Sequence, residues 1–264
     1  MAAQATARDA RRRHRIGPTE IEPMPDKKAV IKKVQGLLER EPRINLHRHP
    51  IRIDFVEGAV VLEGDVEDIA AKKLALELAA GVEDIRGIVD RLHVVPAQTK
   101  GDGAIRDSLC AFLLSQPELK NCTIRVHAGD RVETLRDAGH TGAGAIEIAV
   151  DRGIVTLEGD VISLSHKRIA GVLAWWTPGC RDVINSLEVD PPEEDNEDEV
   201  ADALRLVLEM DPLVESDRIA ARVENYVITL EGQVRSDAQR RRAEFDAWAL
   251  FAVDRVVNRL EVSP

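Results

Sequence analysis

A short phrase written three times sets the terms for this chain. Gly58-Ala59-Val60-Val61-Leu62-Glu63-Gly64-Asp65-Val66 returns as Gly153-Ile154-Val155-Thr156-Leu157-Glu158-Gly159-Asp160-Val161 and as Tyr226-Val227-Ile228-Thr229-Leu230-Glu231-Gly232-Gln233-Val234. Each copy is a β-branched run ending on a glycine, the pattern of a strand whose end needs permissive backbone. The spacing from Gly64 to Pro96, from Gly159 to Pro191 and from Gly232 to Pro264 is the same, without a gap. Three registers held in step mark a repeat of one small folding unit. Gly64, Gly159 and Gly232 read as structural glycines.

The formal net charge of -11 over 264 residues argues against general nucleic-acid affinity, because a phosphate backbone is held by clustered Lys and Arg. The three cysteines, Cys110, Cys122 and Cys180, form no CxxC pair and are odd in number, so they read as reduced, structural thiols. Residues 1–25 carry Arg8, Arg11, Arg12, Arg13 and Arg15, then Pro18, Pro23 and Pro25. The apolar stretch of roughly 7–15 residues that a secretory signal needs does not follow, and no run approaches the ~20 apolar residues of a spanning helix. The segment reads as a disordered basic arm, either solvated or touching an anionic surface through Arg11, Arg12 and Arg13. A cytoplasmic setting, peripheral to a membrane at most, is the expectation.

After Pro25, Asp26 caps a helix in which Val30, Val34, Leu37 and Leu38 share one face. Ile105, Leu109, Phe112 and Leu113 repeat that face, as do Val200, Leu204, Val207 and Leu208, and Pro42, Pro117 and Pro212 mark the helix ends. A strand of period two follows (Ile51, Ile53, Phe55; Ile146, Ile148, Val150; Ile219, Ala221, Val223). Short turns at Glu57-Gly58, Arg152-Gly153 and Asn225-Tyr226 fold it back on the repeated phrase as an antiparallel hairpin. Tyr226 stands where the other turns have glycine, so the third turn is expected to differ in type. Asp68, Ser163 and Ser236 then cap a second helix with small residues at Ala75 and Ala79, Ala170 and Ala174, Ala243 and Ala247. Ile88–Leu92, Val183–Leu187 and Val256–Leu260 close each unit as a strand parallel to the phrase, through a right-handed crossover. The fold class is α+β: three tandem α-β-β-α-β units at 26–96, 101–190 and 196–264, each two helices on a three-stranded mixed sheet.

The element order, the strand of VTLEG type and the closing run Gly179-Cys180-Arg181-Asp182-Val183-Ile184-Asn185-Ser186-Leu187 resemble the BON domain, named for bacterial osmotic-stress and nodulation proteins. Ala252–Leu260 repeats the closing run, and Asp84–Leu92 does so more loosely. The resemblance implies a non-enzymatic module without cofactor, often in tandem, that binds phospholipid or envelope surfaces under osmotic stress. A cytoplasmic relative is implicated in potassium binding. Exported members carry a signal peptide or a lipoprotein cysteine, and neither is seen here.

The middle unit departs from its neighbours by about 20 extra residues, an insertion at 120–144 expected to project from the unit. It holds Thr123-Ile124-Arg125-Val126, read as an extra edge strand, and a flexible glycine-rich loop, Gly139-His140-Thr141-Gly142-Ala143-Gly144. No Lys-Ser/Thr follows that loop and the next element is a strand, so it is not a phosphate loop. The acidic linker 190–199 is expected to be extended by self-repulsion. His47 and His49 lack a third ligand at a metal-typical spacing, Cys110 has no adjacent base, and Glu63, Glu158 and Glu231 alternate with buried neighbours and face solvent. No catalytic or metal-binding constellation emerges.

One surface remains. With the alanines of the second helix toward the core, at about 100° per residue, Arg168, Val172 and Trp175 fall on the outward side, as do Arg241, Phe245 and Trp248. Exposed Trp beside Arg suits a membrane interface; the same residues equally suit packing against a neighbouring unit. Two functional classes follow: docking on an anionic phospholipid or envelope surface, or a cytoplasmic module that answers ions or assembles with a protein partner.

Overall fold

The computed structural model describes residues 26–83, 85–139 and 144–263. The proposed basic arm, with Arg11, Arg12 and Arg13, lies outside these, as do residues 140–143 of the glycine-rich loop. The first unit runs α1 (Lys27–Leu38), β1 (Arg52–Val56), β2 (Ala59–Val66), α2 (Ile69–Ala80) and β3 (Gly87–Val94). The middle unit runs α3 (Asp102–Ser115), β4 (Thr123–Ala128), β5 (Arg131–Arg136), β6 (Ala145–Asp151), β7 (Ile154–Val161), α4 (Leu164–Trp176), β8 (Asp182–Asn185) and β9 (Glu188–Val189). The third runs α5 (Glu197–Met210), a 3-10 turn at Ser216–Arg218, β10 (Ile219–Glu224), β11 (Val227–Val234), α6 (Asp237–Ala249) and β12 (Arg255–Val262).

The helix starts follow from their caps. Asp26 accepts from Lys28 N, Asp68 from Ala71 N, Ser163 from His166 N and Ser236 from Gln239 N, each satisfying a donor that the first turn leaves free. The six alanines read as small packing residues are all fully buried. In each unit the hairpin strands pair antiparallel and the closing strand pairs parallel to the repeated phrase, as β1-β2-β3 and β10-β11-β12 in the outer units.

The repeated strand does not end on its glycine. It runs on to Val66, Val161 and Val234, each buried, and the glycine is a tight point inside it. A Cβ on Gly159 would stand 2.1 Å from Ala145 O, and one on Gly232 2.1 Å from Arg218 O. Both glycines have positive φ (114° and 128°), so the residue type answers a close backbone approach and a left-handed conformation together.

The third hairpin turn is of the same kind as the others. Glu57 and Gly58, Arg152 and Gly153, and Asn225 and Tyr226 all have positive φ, as a type I′ turn requires at both central positions. In the first two units the aliphatic part of Arg86 or Arg181 lies over the turn, so a Cβ on Gly58 would meet Arg86 Cδ at 2.8 Å and one on Gly153 would meet Arg181 Cδ at 3.0 Å. The third unit carries Asp254 at that place, bonded N to Tyr226 O at 3.1 Å as Arg86 N is to Gly58 O. The shorter side chain leaves room for the tyrosine.

Two further expectations are corrected. The insertion does not project: β4 and β5 extend the sheet to β5-β4-β6-β7-β8, and the outer edge is β5, not Thr123–Val126. Ile124 and Val126, on one face of β4, are buried in the core beside β6, as their alternation with exposed Arg125 requires. Nor is the acidic linker held off by its own charge. Glu193 accepts from Leu164 N at the start of α4 at 2.7 Å, and Asp195 pairs with Arg168; fixed positive groups outweigh the mutual repulsion of the run.

Candidate functional site

The side of the second helix expected to face outward is largely interior. Arg168 and Trp248 are each 1% exposed and Val172 is fully buried. Trp175 and Phe245 are half-buried, and Arg241 alone of the six is exposed, 3.2 Å from Asp237 on its own helix. The physical reason is that α6 packs on both α2 and α4, and α4 on α5 as well, in addition to the contacts each second helix makes with its own sheet. A helix with two buried sides shows the same residues as one with an apolar side in a membrane, so periodicity does not separate the two.

The seam binds the three units into one body. The first and third share a continuous apolar core, joined by Val172 from the middle unit, while the middle sheet keeps its own core. Lys72 on α2 donates to Leu92 O (2.6 Å) and pairs with Asp90 (2.9 Å) and with Asp182 of the middle unit (2.8 Å). Val94 N donates to Arg181 O at 2.8 Å and Arg181 pairs with Asp65 at 2.6 Å. Between the outer units, Arg43 pairs with Glu244 at 2.5 Å and Lys73 donates to Leu250 O. Arg168 pairs with Asp195 and stacks 4.5 Å from the centre of the Phe251 ring, while its Nε and Nη1 have no hydrogen-bond partner among the described residues.

Where the units meet, a cleft of about 380 Å³ is walled by Ile69 and Pro96 from the first, Trp175, Trp176 and Pro178 from the second, and Phe245 from the third. Its one cation among the described residues, Arg242, is already committed: it pairs with Asp211 and lies over the rings of Trp176 (5.0 Å) and Phe245 (5.2 Å). Behind it Trp176 Nε1 donates to Asp246 Oδ1 at 2.8 Å. Asp246 and Asp211 are both buried, and one guanidinium serves the two carboxyls. Burial is the main cause that pushes the Asp246 carboxyl up to about 8; Arg242 works against the rise and Asp211 adds to it. The sequence pattern gave no sign of this pair, because its members come from different elements and meet only in the packed unit.

The raised value sets a direction for pH. In the window from the ordinary carboxyl value of 3.8 to about 8, the folded chain holds a proton that the unfolded chain has released. The stabilisation is complete below the lower value and is lost as pH rises through the upper one. Asp246→Asn keeps the acceptor for Trp176 and is neutral throughout, so its stability curve should be flatter. The variant should gain on the parent by on the order of 4 kcal/mol between about pH 5 and pH 8. Parallel urea-denaturation profiles for the two proteins across that range would show that Asp246 does not carry the proton.

The other candidate groups stay apart. His47 is exposed in a turn after α1, with Arg48 N and His49 N both bonded to Asn45 O, rather than on an extended segment. Among the described residues no three His, Cys, Asp or Glu side chains gather as a metal site. Cys110, Cys122 and Cys180 are buried, and burial raises each thiol above its ordinary value, to about 12 for Cys180. Such thiols are poor nucleophiles. Glu63 lies between Arg52 and Arg91, and Glu231 between Arg222 and Arg259, on the open sheet faces.

The family model for the BON domain matches three times, over residues 26–96, 101–191 and 196–264. The chain belongs to the BON domain family. No curated protein sequence matches it. Among solved structures, it is similar to the C-terminal domain of CdsD, a structural protein of the Type III secretion system of Chlamydia trachomatis. The identity is 15%, with 90% of this chain and 100% of that one covered, at a TM-score of 0.23. It is also similar to the PrgH periplasmic domain, at 10% identity over 83% of this chain and 96% of that one, with a TM-score of 0.22. At these TM-scores neither likeness bears on function. BON domains are binding modules of non-catalytic type, and no helix among the described residues is long and apolar enough to cross a membrane.

Proposed function

We propose that this chain is a non-enzymatic scaffold in which three BON units, fused along a common seam, present a rigid surface to a protein partner. The observation that carries the reading is the burial of Trp248 and Arg168. A membrane-docking helix needs its aromatic and basic groups at the surface, where the ring enters the headgroup layer and the cation meets phosphate. Here those groups hold the units together, and the net charge of -11 opposes approach to an anionic bilayer. Buried, unpaired thiols agree with a cytoplasmic setting.

Sedimentation with vesicles of anionic or neutral phospholipid at low salt tests this against the phospholipid reading. Residues 26–264 should stay in the supernatant with both, and any pelleting of the full chain should vanish when residues 1–25 are removed. Pelleting of residues 26–264 with anionic vesicles, reversed by salt, would return the function to the lipid surface.

A further inference from the structure

The hairpin-side sheet edges of the three units, β1, β6 and β10, are finished in three different ways. In the middle unit β6 is no edge, because β4 runs parallel to it from Thr123 beside Ala145 to Val126 beside Ile148. Ile146 and Ile148 are fully buried. In the first unit the backbone N–H of Phe55 is taken by the Asp54 carboxylate at 2.7 Å, which Lys27 holds at 2.5 Å. One outward N–H of that edge is thus taken by the strand's own side chain.

The third unit has neither device. In the repeat register Val223 stands for Phe55 and Arg222 for Asp54. Ile219 N donates back to Ser216 O, so the backbone groups of Ile219 point away from β11. Alternation along the strand sends those of Ala221 and Val223 the same way. Among the described residues no strand pairs with that side of β10.

Beside this edge, between β10 and α5, runs a groove of about 380 Å³ with Leu208, Ile219 and Ala221 in its floor and Asp202, Glu209 and Asp217 on its rim. Ile219 and Ala221 are half-buried, where their counterparts Ile146 and Ile148 are fully covered. Arg205 is exposed, where its counterpart Cys110 is buried in the core that β4 completes. Among the described residues the same place is therefore filled in one unit and open in another, and the filling segment is known: Thr-Ile-Arg-Val-His-Ala, apolar at alternate positions with a basic residue between.

The geometry points to a strand-docking site: the groove between α5 and β10 takes an extended segment of a partner protein, laid parallel to β10 as β4 is laid beside β6. This rests on the partner-scaffold reading and names its surface. Backbone bonds to Ala221 and Val223 hold the segment, and its alternate apolar side chains enter the groove. A Lys or Arg on it meets the acidic rim, where Arg205 already pairs with Asp202 at 3.2 Å and leaves Glu209 and Asp217 in excess. The chain's own net charge of -11 argues against a second copy as the occupant.

The test uses a fluorescent peptide of residues 121–128 with Cys122→Ser, titrated with the full chain and read by anisotropy. Saturable binding is expected. It should weaken about tenfold or more with the Arg125→Glu peptide, and as much with Ala221→Pro in the chain, which removes an outward N–H that β11 does not use. Should Ala221→Pro disturb the far-UV circular dichroism, the surface pair Glu209→Lys and Asp217→Lys serves instead, with the same loss. No binding, or binding indifferent to the chain variants, overturns the site. So does a concentration-dependent dimer that the peptide dissolves, since that hands the groove to a second copy. Vesicle pelleting, by contrast, bears on the scaffold reading alone.

Discussion

Gly159→Val should destabilise the middle unit by about 4 kcal/mol, at the extreme of single substitutions. Two costs add. The residue sits at φ 114°, and its Cβ would stand 2.1 Å from Ala145 O. The first is a conformational strain of about 1–3 kcal/mol; the second demands that backbone move. Ala145 has little freedom to do so, because it is paired with Thr123 on β4 and with Asp160 on β7. Gly232 meets the same 2.1 Å approach from Arg218 O, but that carbonyl ends a 3-10 turn at an open edge and yields more easily. Gly64 meets Pro50 O at 2.7 Å, just before β1 begins. The expected order of loss in urea denaturation is therefore Gly159, then Gly232, then Gly64. Equal losses at the three sites would mean that strain alone, and not the packed neighbour, dictates the glycine.

What was legible in the sequence was whatever one unit decides for itself. Asp68, Ser163 and Ser236 cap their helices because a cap is made by residues three apart. The alanines of the second helices pack on their own sheets, and the hairpins form where period-two runs meet a short turn. Anything decided between units was hidden. Lys72 looks like a solvated helix residue until Asp182 of the next unit meets it, and Trp176 finds Asp246 across seventy positions of chain. The linker carboxylates read as repelling one another because Leu164 N and Arg168, which hold Glu193 and Asp195, are distant in sequence. Tyr226 suggests a different turn for a related cause: what a turn tolerates depends on the residue lying over it, and the exchange of Arg181 for Asp254 is visible only once the two are known to touch.

Trp248→Ala separates the two lives that an aromatic residue on this helix can lead. Trp248 is 1% exposed, within the core shared by the first and third units. Truncating it to alanine should cost about 4 kcal/mol, the transfer of a large ring plus the cavity left where neighbours from two units cannot both close in. The indole Nε1 has no hydrogen-bond partner among the described residues, so Trp248→Phe gives up volume but no bond and should cost only about 1–2 kcal/mol. A ring that served as a membrane anchor would behave in the opposite way: both substitutions would leave the denaturation midpoint unchanged, and vesicle binding would fall. Urea denaturation of the two variants, followed by the circular dichroism of the fold, therefore reads the role of the residue directly. A midpoint unmoved by Trp248→Ala would remove the seam from the argument and with it the main support for a scaffold.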